Sequence, residues 1–93
     1  EELVQIDGTA KKIGGSINDL IVNFDSKGIP SLFVLANIEG NAVFQIWEIK
    51  DNRLGSLLKS VVLPVMANRF ACDANNIYFG TSSSTLPVIF LRK

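Results

Sequence analysis

Apolar residues fall in short alternating or near-continuous runs bounded by turn-forming residues. Residues 31–37, which contain Leu32-Phe33-Val34-Leu35-Ala36, are nearly all apolar, as expected of a strand covered on both faces. Beyond a tight turn at Glu39-Gly40-Asn41, residues 42–49 alternate with bulky apolar groups on both sides, so this strand too reads as doubly covered. Residues 20–24 are β-branched and alternating, which favours a strand. Asp25-Ser26-Lys27-Gly28 then reads as a turn, with Pro30 opening the next strand. Before it, residues 1–6 and 9–13 are short extended pieces separated by Asp7-Gly8 and closed by Gly14-Gly15. Lys50-Asp51-Asn52-Arg53 reads as a polar loop ended by Gly55. Residues 57–65 follow as a strand limited by Pro64, which cannot donate to a ladder. Shorter strands over 68–73, 77–81 and 86–91 close the chain, joined by turns at Ala74-Asn75-Asn76 and Ser82-Ser83-Ser84-Thr85. Nowhere do apolar residues keep a helical period for ten residues, so the expected fold is all-β.

A weak internal repeat refines this. Asn23-Phe24-Asp25 matches Ala71-Cys72-Asp73 at an offset of 48, and Leu32-Phe33 matches Tyr78-Phe79 at 46. Phe44-Gln45-Ile46-Trp47 matches Val88-Ile89-Phe90-Leu91 at 44, while Lys11-Lys12-Ile13 stands before the first round as Lys59-Ser60-Val61 stands before the second. Four short strands per period of roughly 40–50 residues is the signature of a propeller blade. The expected organisation is a single partial β-propeller module of about two four-stranded antiparallel blades. Residues 1–16 would be the outer strand of a preceding blade, 17–65 a complete blade, and 66–93 three strands of the next. Two blades cannot enclose a channel, so the chain is either a piece of a larger propeller or a unit that assembles into a ring. The rival fold is a β-sandwich of seven or eight strands.

The run Leu32-Phe33-Val34-Leu35-Ala36 followed by Asn41-Ala42-Val43-Phe44-Gln45-Ile46-Trp47-Glu48-Ile49 resembles the last two inner strands of a WD40 repeat. Trp47-Glu48 stands where that family places its Trp-Asp pair. Leu91-Arg92 takes that place in the second copy, and the family's Gly-His pair is missing, so the blade is degenerate. Residues 31–93 are similar in spacing to late blades of the WD-repeat, non-catalytic subunit of eukaryotic tRNA (guanine-N7)-methyltransferase. The carriers are Phe70, Ile77-Tyr78-Phe79 and the terminal Leu86-Pro87-Val88-Ile89-Phe90-Leu91-Arg92. The resemblance implies a scaffold that stabilises a separate catalytic chain binding S-adenosylmethionine and tRNA, and it transfers no partner-contacting residue.

Composition excludes several other functions. Apolar residues make up 47% of the 93 and charged residues 19%, too apolar for a disordered segment. Nine basic and nine acidic residues cancel, and no basic run longer than a pair (Lys11-Lys12, Arg92-Lys93) offers a phosphate-binding patch. The longest apolar runs fall far short of the ~20 residues of a membrane helix. No basic segment followed by a hydrophobic run opens these residues, so no signal peptide is expected. One cysteine permits no internal disulfide, so an intracellular setting is expected, with the nucleus left open. The chain has no histidine, which removes the commonest general base and metal ligand together.

Each candidate site has a plainer reading. Asp25 and Asp73 could be paired carboxylates, but Asp at a turn start hydrogen-bonds its own following N–H groups. Cys72 could be a nucleophile, but nothing nearby would lower its pKa, and a buried inert thiol is the better reading. Gly14-Gly15-Ser16 lacks the lysine and helix of a phosphate loop and reads as a turn. Ser82-Ser83-Ser84-Thr85 reads as a polar hairpin turn, and Trp47 as a core residue rather than an interface anchor. No catalytic, cofactor-binding or metal-ligating residue is assigned, binding residues stay unassigned, and no cofactor is expected. The function expected is a non-catalytic propeller scaffold, not an enzyme, whose partner is another protein or the remaining blades, with tRNA met only indirectly. The alternative is an oligomerising lectin-like propeller that binds small ligands between blades. A hydrolase on a β scaffold ranks last.

Overall fold

The computed structural model describes residues 3–6, 9–81 and 89–92, and among them every regular element is a β-strand. The fold is all-β. Nine strands run in chain order: β1 (Leu3–Ile6), β2 (Thr9–Lys12), β3 (Ser16–Phe24), β4 (Pro30–Ile38), β5 (Asn41–Lys50), β6 (Arg53–Val62), β7 (Arg69–Cys72), β8 (Asn76–Gly80) and β9 (Ile89–Arg92). They form three antiparallel sheets: β1-β2, β3-β4-β5-β6 and β7-β8-β9, in each of which neighbours in sequence are neighbours in space. Among the described residues no helix is long and apolar enough to cross a membrane.

The four-stranded sheet packs on the third sheet by one face and on Ile13, which follows β2, by the other. Alternation along β4 sends Phe33 and Leu35 to one face and Leu32, Val34 and Ala36 to the other, and all five are buried. The first face, the front, packs with Ala42 and Phe44 against Leu63, Ala67, Phe70, Ile77 and Phe79 of the β6–β7 connection and third sheet. Phe44 sits at the centre, edge-on to Phe33, Phe70 and Phe79 at ring-centroid distances of 5.5, 5.5 and 5.1 Å. The back face packs Leu32, Val34, Ala36, Trp47 and Leu54 with Ile13, which follows β2. The apolar runs of β4 and β5 are therefore strands covered twice.

The turns explain where the strands stop. Ile38 pairs with Asn41 across Glu39 and Gly40, both at positive φ (52° and 82°), the twist that two-residue hairpins favour. Lys50 pairs with Arg53 across Asp51 and Asn52 in the same way (φ 54° and 60°). The expected loop over 50–53 is thus a two-residue hairpin, and β6 starts at Arg53 rather than after Gly55. β6 ends at Val62, short of Pro64, and the Leu63 amide then donates to the Ala42 carbonyl at 2.8 Å. Residues 9–12 form β2, and residues 3–6 pair with them as β1, so residues 1–16 carry two strands instead of one.

Register also corrects the repeat. The Asp25 amide bonds to the Ile29 carbonyl, whereas the Asp73 amide bonds to the Asn76 carbonyl, so the second turn is one residue shorter. Phe24 pairs with Pro30 and Cys72 with Ile77, which makes Pro30 equivalent to Ile77 (77 − 30 = 47) and Leu32 equivalent to Phe79 (79 − 32 = 47). Leu32 pairs with Trp47 and Phe79 with Ile89, so Trp47 corresponds to Ile89 (89 − 47 = 42) and not to Leu91.

Candidate functional site

A cavity opens between the front of the four-stranded sheet and the third sheet, at the end where the β3–β4 and β7–β8 turns lie side by side. It has a volume of about 590 Å³. Phe33 and Ile46 give it an apolar floor, Asn23 and Ser31 a polar wall, and Ala74 and Asn75 of the second turn close the other side. Alternation places Asn23, Ser31, Phe33 and Ile46 on one face, because Asn23 pairs with Ser31 and Phe33 with Ile46.

The two aspartates flank this end, and both carboxylates serve their turns. Asp25 Oδ1 accepts from the Lys27 amide at 2.8 Å and the Ile29 amide at 2.9 Å. Asp73 Oδ1 accepts from the Asn75 and Asn76 amides at 2.9 and 2.7 Å. This is the turn role that aspartate at such positions performs. Asp73 has a second task that its sequence context did not announce: its Oδ2 accepts the Tyr78 hydroxyl at 2.8 Å. Donation to a carboxylate holds the Tyr78 proton in place and raises its pKa above the ordinary 10.0, with desolvation adding in the same direction.

The remaining candidates fall elsewhere. Trp47 is buried, and its indole N–H donates to Gln45 Oε1 at 3.0 Å. Cys72 is half-buried at the edge of the front core. Gly14 turns the chain at φ 81°, and a Cβ on Gly15 would overlap the Asn37 carbonyl, so the two glycines serve close backbone approach. Ser82-Ser83-Ser84-Thr85 lies outside the described residues. Among the described residues no three His, Cys, Asp or Glu side chains gather in a metal-binding group. Glu48, beside Trp47, lies across Gly55 at the β5–β6 bulge, with Oε1 3.5 Å from the Ser56 amide.

One residue that sequence reasoning missed ties the sheets together. Asp19 Oδ2 accepts the Phe70 amide at 3.1 Å, joining β3 to β7, the first strands of adjacent sheets. The only signal in the sequence was an acidic residue at an inward position of an alternating strand. The cavity, which Asp25, Ser26 and Ile29 of the first turn also line, can hold a small polar ligand or a loop from a partner. Comparison with protein-family models, with curated proteins and with solved structures gave no match.

Proposed function

We propose that the chain is a partial β-propeller of degenerate WD40 type and acts as a non-catalytic scaffold for protein–protein interaction. One observation carries the reading: a four-stranded meander is packed on both faces, on its front by a further sheet and on its back by Ile13 next to the β1-β2 hairpin, and its first strand is bonded to the first strand of the next sheet through Asp19 and Phe70. Blades repeated around an axis stack in this way, with strands in chain order from the inside out. A simple sandwich packs two sheets, and three in succession favour the propeller reading over it.

The resemblance supplies the finer proposal. The partner is the catalytic subunit of a tRNA (guanine-N7)-methyltransferase, so the role belongs to tRNA processing in an intracellular or nuclear setting. These residues then need no cofactor, and tRNA is met through the partner. Methyl transfer from S-adenosylmethionine to tRNA, assayed for such a catalytic subunit with and without this chain, tests it. A longer-lived activity in the presence of the chain is expected, and an unchanged half-life removes this partner.

The cavity favours a second reading, a lectin-like propeller with small ligands bound between blades. In that case a saccharide panel should raise the unfolding temperature of the wild type but not of Asn23→Ala.

A further inference from the structure

The apolar residues of β3 are divided between its two faces. Ile21 packs into the front core, whereas Leu20, Val22 and Phe24 point to the back and stay 46%, 45% and 63% exposed. They share that face with Leu32 and Val34, which are buried, because Leu20 pairs with Val34 and Val22 with Leu32. The hairpin β1-β2 contacts β6, but Leu57 and Val62 of β6 also stay exposed on this face, so the back is open along β3 and along much of β6. Contiguous apolar surface beside a packed layer marks an interaction site.

The internal repeat indicates what fits there. In register, Val22 corresponds to Phe70 (70 − 22 = 48), Phe24 to Cys72 (72 − 24 = 48) and Leu32 to Phe79 (79 − 32 = 47). Phe70, Cys72 and Phe79 form the surface through which the third sheet sits on the front of the four-stranded sheet. The open back of β3 is therefore the counterpart of a surface that this chain already packs on a sheet of its own. Inside the molecule that surface is received by Phe33, Leu35, Ala42 and Phe44 with Ile21 at the edge, and beside them Asn23 and Ser31 wall the cavity. On the outer face of the third sheet Ile21 has Arg69 as its counterpart (69 − 21 = 48), Phe33 has Gly80 (80 − 33 = 47), and Asn23 and Ser31 have the exposed Ala71 (71 − 23 = 48) and Tyr78 (78 − 31 = 47). Both halves of one interface are thus left uncovered at opposite ends of the stack. The nine basic and nine acidic residues cancel, so copies meet without net repulsion.

Resting on the partial-propeller reading, we infer that the open back of β3 binds the outer face of the third sheet of a second copy of this chain, head to tail. Such contacts either close into a ring or run on as filaments. With three sheets per copy, one of them only a two-stranded hairpin, and about four to eight blades in a propeller, a closed ring holds two to four copies.

Sedimentation of the wild type, Val22→Glu, Ala71→Glu and an equimolar mixture of the two variants tests this. Both substituted residues are exposed, so the fold survives the changes. The expected result is a discrete wild-type oligomer of two to four 10.2 kDa chains. Each variant alone should be monomeric, and the mixture should form a 1:1 dimer through its one intact junction. If Ala71→Glu alone keeps the wild-type mass distribution, the copy-to-copy contact is overturned while the partial-propeller reading stands. A wild-type monomer with one sharp unfolding transition overturns both.

Discussion

Trp47 and Tyr78 show how much a single side chain carries here. Trp47 is 9% exposed, fills the back core beside Leu32 and Leu54, and donates its indole N–H to Gln45. Trp47→Ala should cost about 3–5 kcal/mol of stability in urea unfolding. Trp47→Phe keeps much of the packing and loses mainly the hydrogen bond, about 1 kcal/mol. A loss under about 1 kcal/mol for the alanine variant contradicts a core role. Tyr78 is the only tyrosine, so tyrosinate absorbance reports it directly. Its folded pKa lies above the unfolded value, so its contribution to stability is full below the unfolded pKa and is lost as pH rises through the folded one. Absorbance should titrate above pH 10.0 in the wild type and return toward that value in Asp73→Asn, which exchanges the carboxylate for an amide. Asp25 and Asp73 were legible as turn residues because the Asp side chain acts on amides two to four positions away. Asp19 was not, because its partner Phe70 is 51 residues distant and nothing local marks the contact.

At the scale of elements, the strands were legible wherever composition and turn chemistry agreed. β4 and β5 follow from their apolar runs, and the Glu39-Gly40 turn from its glycine. The hairpin at Asp51-Asn52 was hidden, since neither residue is glycine and the polar run looks like a loop; Asn and Asp nonetheless tolerate the left-handed region. β3 begins at Ser16, four residues before its apolar alternation, because pairing with β4 holds polar residues extended. The bond from Phe70 to Asp19 links two elements that touch little otherwise. Asp19→Ala should cost about 1.5–3 kcal/mol, the range for hydrogen bonds to charged groups. The Phe70 amide should lose hydrogen-exchange protection while amides in the middle of β4 keep theirs. Equal loss across both sheets would mean that Asp19 supports the whole fold rather than the junction.

For the molecule as a whole, the sequence announced an all-β chain with a repeat, and the sheets now give the repeat its register. The cavity and the uncovered back of β3 were not legible, because both arise from how sheets stack and not from any local pattern. The four-stranded sheet is covered on its front and only partly on its back, and in the proposed arrangement neighbours complete the stack. A fold completed by association gains stability with concentration, since whatever binds only the folded state shifts its equilibrium. The most direct measurement is therefore the urea midpoint of the purified chain across a hundredfold range of concentration. The midpoint should rise with concentration, whereas a sharp transition at one fixed midpoint, from a monodisperse monomer, would contradict the account.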